Sequence, residues 1–364
     1  MVILSILIFL LVINFLVVSH ELFHFIAAKR AHLKVEEFCI GFPPRIFKKK
    51  REETVYSIGL LPLGGFVKIE GMDTSDRTPT FYSKSVRERF WIIFAGVVAN
   101  FFLAIILFSI GFSVGLPQAI EKDVPPGARN IGISIVEVAA DSPAEKAGIK
   151  LGDKIIKITE TLSGQEKLIK EIDEVKNITD GNRGKTLIFT LGRGNKIIKK
   201  EVLARTSPPE NEGAIGIAMA RTAIVSYPWY QSILKGVRTT LDLSSATFKY
   251  LFQAARDAIS GKEVKGIEFR GPIGIGVMVS QMLELGGVYV LQFTAILSLN
   301  LAILNALPFP ALDGGRLFLL LIEKIRKRPL SYKIESLINN VGFAILIILM
   351  IIVSFQDVRR LLRG

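Results

Sequence analysis

The chain has 364 residues, half of them hydrophobic, and a formal net charge of +13. A composition this apolar argues against a purely soluble protein, so uncharged runs of 18 or more residues are the first feature to look for. The basic excess would favour a nucleic-acid partner in a soluble chain, but here it is concentrated in short segments between apolar runs. The single cysteine, Cys39, excludes an intrachain disulfide and a cysteine-based metal site.

Four apolar runs predict four transmembrane helices, at residues 2–28, 90–120, 285–312 and 336–356. The first run has no basic residue before its apolar core and is too long for a cleavable signal peptide, so we interpret it as a retained span. The predicted organisation in chain order is a first span (1–28), a cytoplasmic or membrane-re-entrant β segment (29–89), a second span (90–120), an extracytoplasmic domain (121–210), an amphipathic helical connector (211–284), a third span (285–312), a cytoplasmic loop that begins with Asp-Gly-Gly (313–335), a fourth span (336–357) and a tail (358–364).

The distribution of charge predicts the orientation in the membrane. Residues 29–89 carry 13 Lys and Arg against 8 acidic residues, and residues 314–335 carry 6 against 2, whereas residues 117–284 are nearly balanced at 24 against 20. Because short basic loops stay in the cytoplasm, we expect the first two segments to be cytoplasmic and residues 117–284 to lie outside. Three arginines in the tail oppose this orientation, but the first loop outweighs them.

The segment after the first span predicts a membrane-associated β-hairpin. Residues 54–60 and 66–69 are rich in β-branched, aromatic and aliphatic side chains, and Pro62 with Gly64-Gly65 supplies turn chemistry between them. The hairpin is too apolar to stand free in water. It either lies on the membrane as a peripheral sheet or dips into the membrane where protein or water satisfies its backbone.

Residues 127–206 predict one small, β-rich soluble domain. Its segment SPAEKAGIKLGD holds a short helix that Ser142 can cap, Pro143 can begin and Gly148 can end. The stretch resembles a PDZ domain of the kind found in bacterial envelope proteases, which implies a groove that binds an extended peptide as an added strand. Alternatively, the groove is empty or blocked and the domain acts as a steric filter. The resemblance places the peptide groove at Asn130, Ile131, Gly132 and Ile133.

Residues 228–262 have a broad apolar stripe with charges inside it. This pattern is typical of an amphipathic helix that packs on the membrane surface or on the soluble domain rather than of a fifth span.

The motif HELFH at residues 20–24 places two imidazoles and a carboxylate inside the first apolar run. On a helix, His20 and His24 lie one turn apart on the same face and can hold one Zn²⁺, while Glu21 is placed to act as a general base. With only 3 His in the chain, about two random chains in a thousand would contain the pattern. The alternative of ordinary helix-end groups does not explain three ionisable residues in one helical turn.

A catalytic zinc site normally has three protein ligands, so one more is needed. His32 lies in the polar loop, which leaves Asp313 in NALPFPALDGGR as the candidate within the membrane. The surrounding Pro and Gly residues would break the helix and turn its carboxylate toward the first span, although Asp313 could instead only cap the next helix. Asn305 could donate a hydrogen bond to the oxyanion of a tetrahedral intermediate. Asn100 in the second span could do the same or serve helix packing.

Five segments together resemble the site-2 protease family of membrane-embedded zinc metalloproteases, and most closely its regulator-of-sigma-E type. They are HELFH in the first span, NALPFPALDGG in the third, LPLGGFVKIEG after the first span, FAGVVANFFLAI in the second and GPIGIG before the third. The resemblance implies a Zn²⁺ cofactor held by His20, His24 and Asp313, with Glu21 as the base. It also implies that Asn305 binds substrate or the oxyanion.

By the same resemblance, the segment around Gly64 and Gly65 is a membrane-re-entrant β-loop that holds the substrate as an extended strand. The chain departs from the family pattern in two places. The second-span motif runs from Gly96 to Asn100 without the usual proline, and one PDZ domain is present where the best-known enterobacterial members carry two in tandem.

Together these expectations describe a polytopic α-helical membrane protein with four transmembrane helices, a membrane-associated β-hairpin and one α+β PDZ domain. The expected activity is intramembrane zinc endopeptidase, cutting single-span membrane proteins such as an anti-sigma factor or a signal-peptide remnant after a first cut. The PDZ domain would admit only substrates whose outer domain has been removed.

The expected location is the bacterial inner membrane, with the PDZ domain extracytoplasmic and the active site near the cytoplasmic side. The expected partners are the lipid bilayer, single-span substrates and a peptide or outer domain at the PDZ domain, with no nucleic acid. A membrane-tethered PDZ scaffold with a non-catalytic metal site is the alternative. A transporter would leave both the peptide-binding domain and the metalloprotease motif unexplained.

Overall fold

A computed structural model describes residues 2–72, 81–121, 123–161, 163–210, 212–262, 270–328 and 330–363; residues 73–80 of the predicted β segment thus lie outside the described part. The elements in chain order are α1 (Val2–Arg30), β1 (Val35–Arg51), β2 (Thr54–Ile69), α2 (Val86–Val114), β3 (Leu116–Ala119), β4 (Arg129–Val138), α3 (Pro143–Lys146), β5 (Lys154–Glu160), β6 (Glu166–Leu168), α4 (Ile172–Gly181), β7 (Thr186–Arg193), β8 (Lys196–Leu203), β9 (Ile217–Val225), α5 (Trp229–Ile259), α6 (Pro272–Leu285), α7 (Gly287–Ala306), α8 (Asp313–Arg326) and α9 (Tyr332–Arg363).

Four of the described helices, α1, α2, α7 and α9, are long and apolar enough to cross a membrane. Each has at least 20 residues, the length that spans the roughly 30 Å hydrocarbon core. The prediction of four spans is therefore confirmed. The third predicted run, residues 285–312, is longer than its helix α7. Gly286, with a φ of 130°, separates α6 from α7, and the chain leaves the helix after Ala306.

The chain folds into two compact units. The first comprises Met1–Phe108, Gly236–Pro272 and Thr294–Phe355, and the second comprises Ser109–Lys235, Ile273–Phe293 and Gln356–Gly364.

In the first unit, β1 and β2 form a hairpin that folds back on itself. Residues 37–40 of β1 lie between residues 55–58 and residues 65–68 of β2, because the pairing shifts register several times. Gly59 permits a close crossing, since a Cβ there would lie 2.2 Å from the carbonyl oxygen of Phe42. The strand β1 was not identified as such from the sequence, because its second half is strongly basic and lacks the alternation typical of strands.

The hairpin packs along α1. The side-chain amide of Asn14, near the middle of α1, donates to the carbonyl oxygen of Pro62, which lies in the bend of β2 at residues 61–64. Nearer the end of α1, the ring of Phe25 contacts Phe38 and Tyr56 with ring centres 5.5 and 6.1 Å apart. The hairpin thus follows the apolar helix for about half of its length.

In the second unit, the strands form a seven-stranded antiparallel sheet in the order β3-β9-β4-β5-β7-β8, with β6 beside β5. The sheet extends beyond the predicted domain at residues 121–210, because β3 precedes that range and β9 follows it. Its core includes Ile133, Ile135, Ala144, Ile155, Ile158, Val175, Leu187, Phe189, Leu191 and Val202.

The short helix α3 begins and ends as its sequence predicts. The Ser142 hydroxyl accepts a hydrogen bond from the backbone N–H of Glu145 at 3.1 Å, which satisfies one of the free N–H groups of the first turn. Pro143 occupies the first helical position, and Gly148 follows the helix with a φ of 73°.

Two further contacts in the second unit involve α6. Its N-terminus is capped by Asp357 of α9, whose carboxylate accepts a hydrogen bond from the Gly274 N–H at 2.8 Å. At its other end, Glu284 pairs with Lys150 at 3.2 Å. The helix α5 falls within the predicted amphipathic segment and is not among the candidate spans of the described residues.

Candidate metal centre

Three residues of the first unit bring their ligand atoms to one point. Nε2 of His20 and Nε2 of His24 lie 3.1 Å apart, and Oδ2 of Asp313 lies 3.0 Å from the first and 3.2 Å from the second. Both imidazoles are buried, and the Asp313 side chain is only 17% exposed. Ligand atoms held about 2.0–2.2 Å from a tetrahedral ion lie about 3.3–3.6 Å from one another. The three separations here are a few tenths of an ångström shorter, so a small outward movement of the side chains would accommodate Zn²⁺.

The local sequence explains how these residues meet. His20 and His24 are four residues apart in α1 and therefore lie on the same face, one turn apart. Asp313 is the first residue of α8, and Leu312 occupies the N-cap position. Asp313 therefore does not cap α8, which was the alternative role that the sequence allowed for it.

The two glycines after Asp313 allow α8 to begin against the preceding loop. A Cβ on Gly314 would lie 2.1 Å from the carbonyl oxygen of Leu307, and a Cβ on Gly315 would lie 2.2 Å from that of Phe309. Any larger residue would push the first turn of α8 away from the loop. The Asp-Gly-Gly sequence therefore fixes the position from which the carboxylate reaches the two imidazoles.

The surroundings of the imidazoles also fit a metal. Nδ1 of His24 lies 2.8 Å from the carbonyl oxygen of Ile92, which can only accept a hydrogen bond, so Nδ1 carries the proton and Nε2 keeps its lone pair for an ion. Nδ1 of His20 lies 3.4 Å from the amide of the buried Asn100, whose Oδ1 is buried without a partner among the described residues. Because the two ends of an amide are exchanged by a 180° rotation, Asn100 can accept the Nδ1 proton of His20 in the same way.

Space for an ion is left by Gly96 of α2. A Cβ at this position would lie 2.3 Å from Nε2 of His24 and 2.6 Å from Nε2 of His20. Only glycine fits beside the two ligand atoms. The donor set, the proton positions and this clearance all suit Zn²⁺.

Glu21 follows His20 and lies within electrostatic range of His20, His24 and Asp313. The backbone N–H of Val67 in β2 lies near its carboxylate. The candidate base therefore faces the hairpin.

The other predicted site residues lie in three different elements, α7, β2 and α2. Asn305 is in the last turn of α7 and half-buried, and its part in catalysis stays a prediction. Gly64 and Gly65 lie in β2 shortly before Val67. A Cβ on Gly64 would come within 3.7 Å of Val17 in α1. A Cβ on Gly65 would lie 2.7 Å from a carbonyl oxygen of β1. Asn100 contacts a histidine ligand, which favours a supporting role over direct contact with substrate.

The residues predicted for the peptide groove do not offer a free strand edge. Ile133 in β4 pairs with β5 at Ile155 and with β9 at Arg221. The carbonyl oxygens of Asn130 and Ile131 accept hydrogen bonds from Lys154 at 3.2 and 2.7 Å, and a Cβ on Gly132 would also strike the Lys154 side chain. The groove at residues 130–133 stays a prediction, which the interior position of β4 in the sheet disfavours.

Sequence reasoning also missed three groups of the centre. The carbonyl of Ile92 and the N–H of Val67 are backbone groups, so no residue type in the sequence could have indicated them. Gly96 was noticed as part of a motif, but its steric role follows only from the distance to the imidazoles.

Comparison with known proteins gives a consistent result. The model of peptidase family M50 matches residues 8–349. A predicted zinc metalloprotease of Clostridium perfringens is 33% identical over 350 residues, covering 96% of this chain and 97% of the relative. One of Rickettsia conorii is 34% identical over 379 residues, covering 98% and 99%. The regulator of sigma-W protease RasP of Bacillus subtilis is 28% identical over 439 residues, covering 97% and 98%.

Proposed function

Because the chain belongs to peptidase family M50, the site-2 protease family, and is a zinc metalloprotease, we propose that His20, His24 and Asp313 hold its Zn²⁺ within the membrane. Glu21 is the proposed general base. The observation that carries this proposal is the meeting of three ligand atoms within 3.2 Å of one another, beside Glu21. Two of these residues lie on a helix apolar enough to cross a membrane.

The proposed reaction is hydrolysis of a peptide bond. Bound Zn²⁺ would polarise the scissile carbonyl and lower the pKa of a water molecule. The Glu21 carboxylate takes a proton from the attacking water and passes it to the leaving amine. The carboxylate lies near the N–H of Val67 in β2, beside the proposed substrate-binding strand. Asn305 is the proposed donor to the developing oxyanion.

The hairpin is the proposed substrate-binding element. Peptide groups of a transmembrane helix are already hydrogen-bonded within the helix, so the helix must unwind before it can be cut. Strand pairing with β2 would replace those hydrogen bonds at the point where β2 lies beside Glu21. The contact between Pro62 and Asn14 in the middle of α1 supports a hairpin that dips into the membrane over one that lies on its surface.

The β-rich domain of the second unit is proposed to act as a PDZ-type gate outside the membrane. The free strand edge suited to a peptide lies on β9, at residues 217–220. There β4 pairs with one side, while β3 reaches only as far as residues 222–225 on the other. Within the described residues no strand covers this short stretch, and α4 packs beside β9. A groove of about four residues fits the end of a trimmed substrate better than an intact domain.

The four apolar helices and the bacterial relatives indicate a multi-pass protein of the bacterial inner membrane. The basic loops support a cytoplasmic location for residues 29–89 and an extracytoplasmic one for the β-rich domain. The proposed substrates are single-span membrane proteins, such as an anti-sigma factor or a signal-peptide remnant, that have lost their outer part. The name of the Bacillus subtilis relative, regulator of sigma-W protease, is consistent with the first of these classes.

Glu21→Gln tests the catalytic assignment. The amide keeps the size of the side chain but cannot take a proton, so we expect a full complement of zinc and loss of cleavage of a single-span substrate. Zinc content is measured by elemental analysis and cleavage by the mass of the products. Undiminished cleavage would refute the role of Glu21, and cleavage by neither the wild type nor the variant would favour a membrane-tethered scaffold.

Removal of residues 116–225, which contain the whole sheet from β3 to β9, tests the gate. The deletion should leave zinc binding intact and allow substrates with an intact outer domain to be cut. Continued discrimination against such substrates would contradict the gate.

A further inference from the structure

We infer that Asn14 is a positioning residue that fixes the depth of β2 beside the catalytic base. This inference rests on the proposed roles of Glu21 and the hairpin. Asn14 lies six residues before His20, in a stretch of α1 where Ser5 is the only other polar residue between positions 2 and 18. An amide in an apolar span is costly unless it is hydrogen-bonded, so its partners indicate its purpose.

The amide of Asn14 joins two elements. Its Nδ2 donates to the carbonyl oxygen of Leu10, one turn earlier in α1, at 2.8 Å, and to the carbonyl oxygen of Pro62 in the bend of β2. Both partners can only accept, which fixes the orientation of the amide. Its Oδ1 is buried with no partner among the described residues. The side chain therefore hydrogen-bonds the Pro62 carbonyl of the hairpin, while its own Oδ1 has no partner among the described residues.

The hairpin lies against α1 at several points. Asn14 donates to Pro62, the N–H of Val67 lies near Glu21, and Phe25 packs on Tyr56. The seven residues from Asn14 to Glu21 correspond to about 10 Å along the helix, and Gly64 packs close to Val17 between them. Asn14 thus provides a side-chain hydrogen bond from α1 to the bend of β2 and does not itself take part in catalysis.

Loss of the Asn14 bond leaves the bend of β2 without its polar contact to α1, so that only packing against residues such as Val17 sets its depth. A strand that slips by one residue moves its peptide groups by about 3.3 Å and turns each side chain to the other face. A substrate paired with β2 would then present a neighbouring peptide bond to the metal centre. The expected consequence is a lower kcat and a less uniform cleavage site, rather than weaker substrate binding.

The test compares Asn14→Leu, Asn14→Ala and Asn14→Gln with the wild type, using the full chain and one single-span substrate in lipid vesicles. For the Leu and Ala variants we expect kcat to fall about tenfold, with KM changed by less than about twofold and a second product from an adjacent bond. Zinc content should be unchanged. The Gln variant retains the amide donor and should recover part of kcat and the single product.

Ser19→Ala is the matched control. Ser19 is the next polar residue of α1 after Asn14, but its hydroxyl donates at 2.7 Å to the carbonyl oxygen of Phe15 within the same helix. Its removal should leave kcat and the cleavage site unchanged.

Hydrogen exchange provides a second measurement that does not depend on activity. The backbone N–H groups of Leu60, Leu61, Leu63 and Gly64, on either side of Pro62, should exchange about tenfold faster in the Leu and Ala variants than in the Ser19→Ala control. Unchanged exchange, or a single product at the wild-type kcat in the Leu and Ala variants, would overturn the role of Asn14. Neither result depends on Glu21→Gln, whose failure would instead contradict the proposed function.

Discussion

Replacement of Gly96 by alanine perturbs the metal centre at its tightest contact. The added carbon would lie 2.3 Å from Nε2 of His24, whereas ordinary van der Waals contacts begin near 3.4 Å. Restoring that separation requires a shift of about 1.1 Å, the difference between these two distances. Because metal–ligand distances hold within about 0.2 Å, a shift of this size removes at least one imidazole from the ion or moves α2 away from α1.

The expected magnitude follows from the cost of overpacking. Inserting one carbon into a filled site costs about 1–3 kcal/mol, which corresponds to a fall in zinc affinity of about 5- to 150-fold. A glycine-to-alanine change in an unobstructed helix has the opposite sign and stabilises it by up to about 1 kcal/mol. Gly287→Ala is the matched control, since Gly287 begins the apolar helix α7 and nothing lies within 4 Å of a Cβ there.

The assay is a zinc titration of purified protein in detergent against a competing chelator, with peptidase activity measured at limiting and at saturating zinc. Gly96→Ala should need more zinc for half-maximal activity, and Gly287→Ala should match the wild type. A Gly96→Ala variant with wild-type zinc affinity and full activity would refute the steric argument and the position assigned to the ion.

Two further predictions concern charged groups. Asp313→Asn keeps the size of the side chain but weakens the only anionic ligand, so the zinc-to-protein ratio after dialysis should fall, with affinity at least about tenfold lower; a full zinc content would remove Asp313 from the ligand set. Hydrogen bonds from Arg45 and Ser57 lower the pKa of Glu37 from its ordinary 4.5, so the ionised carboxylate stabilises the fold above that pH and the contribution is lost as the pH falls through the lowered value. Glu37→Gln should therefore cost about 1–2 kcal/mol at pH 7. In thermal unfolding this cost should shrink as the pH falls below 4.5 and through the lowered pKa of Glu37, and a cost independent of pH would contradict this assignment.

The parts of the structure that follow from local sequence were predictable. Apolar runs define the four candidate spans, because a helix is the simplest way to satisfy backbone groups in lipid. The pairing of His20 with His24 follows from helical geometry alone. Asp313 could be proposed from chemistry, since a site with two imidazoles needs another ligand and few ionisable residues lie in the apolar runs.

The parts that depend on pairing between distant segments were not predictable. The groove was predicted on β4 from the resemblance to PDZ domains, but β4 has neighbours on both sides. β9 completes the sheet from beyond the expected boundary, and nothing in its own residues indicates that it joins β4. In the same way, the support of His24 by Ile92 comes from a backbone carbonyl that any residue type would supply.

The hydrogen bond from Nδ1 of His24 to the Ile92 carbonyl makes the centre directly observable by spectroscopy. The chain contains only 3 His, of which two are the proposed ligands and the third, His32, is exposed. Nitrogen-labelled histidine would therefore give three sets of ring signals, with His32 as an internal reference. The bonded Nδ1 proton of His24 is shielded from solvent exchange by burial, so its resonance would follow metal binding, substrate entry and product release in a membrane protein without any added probe.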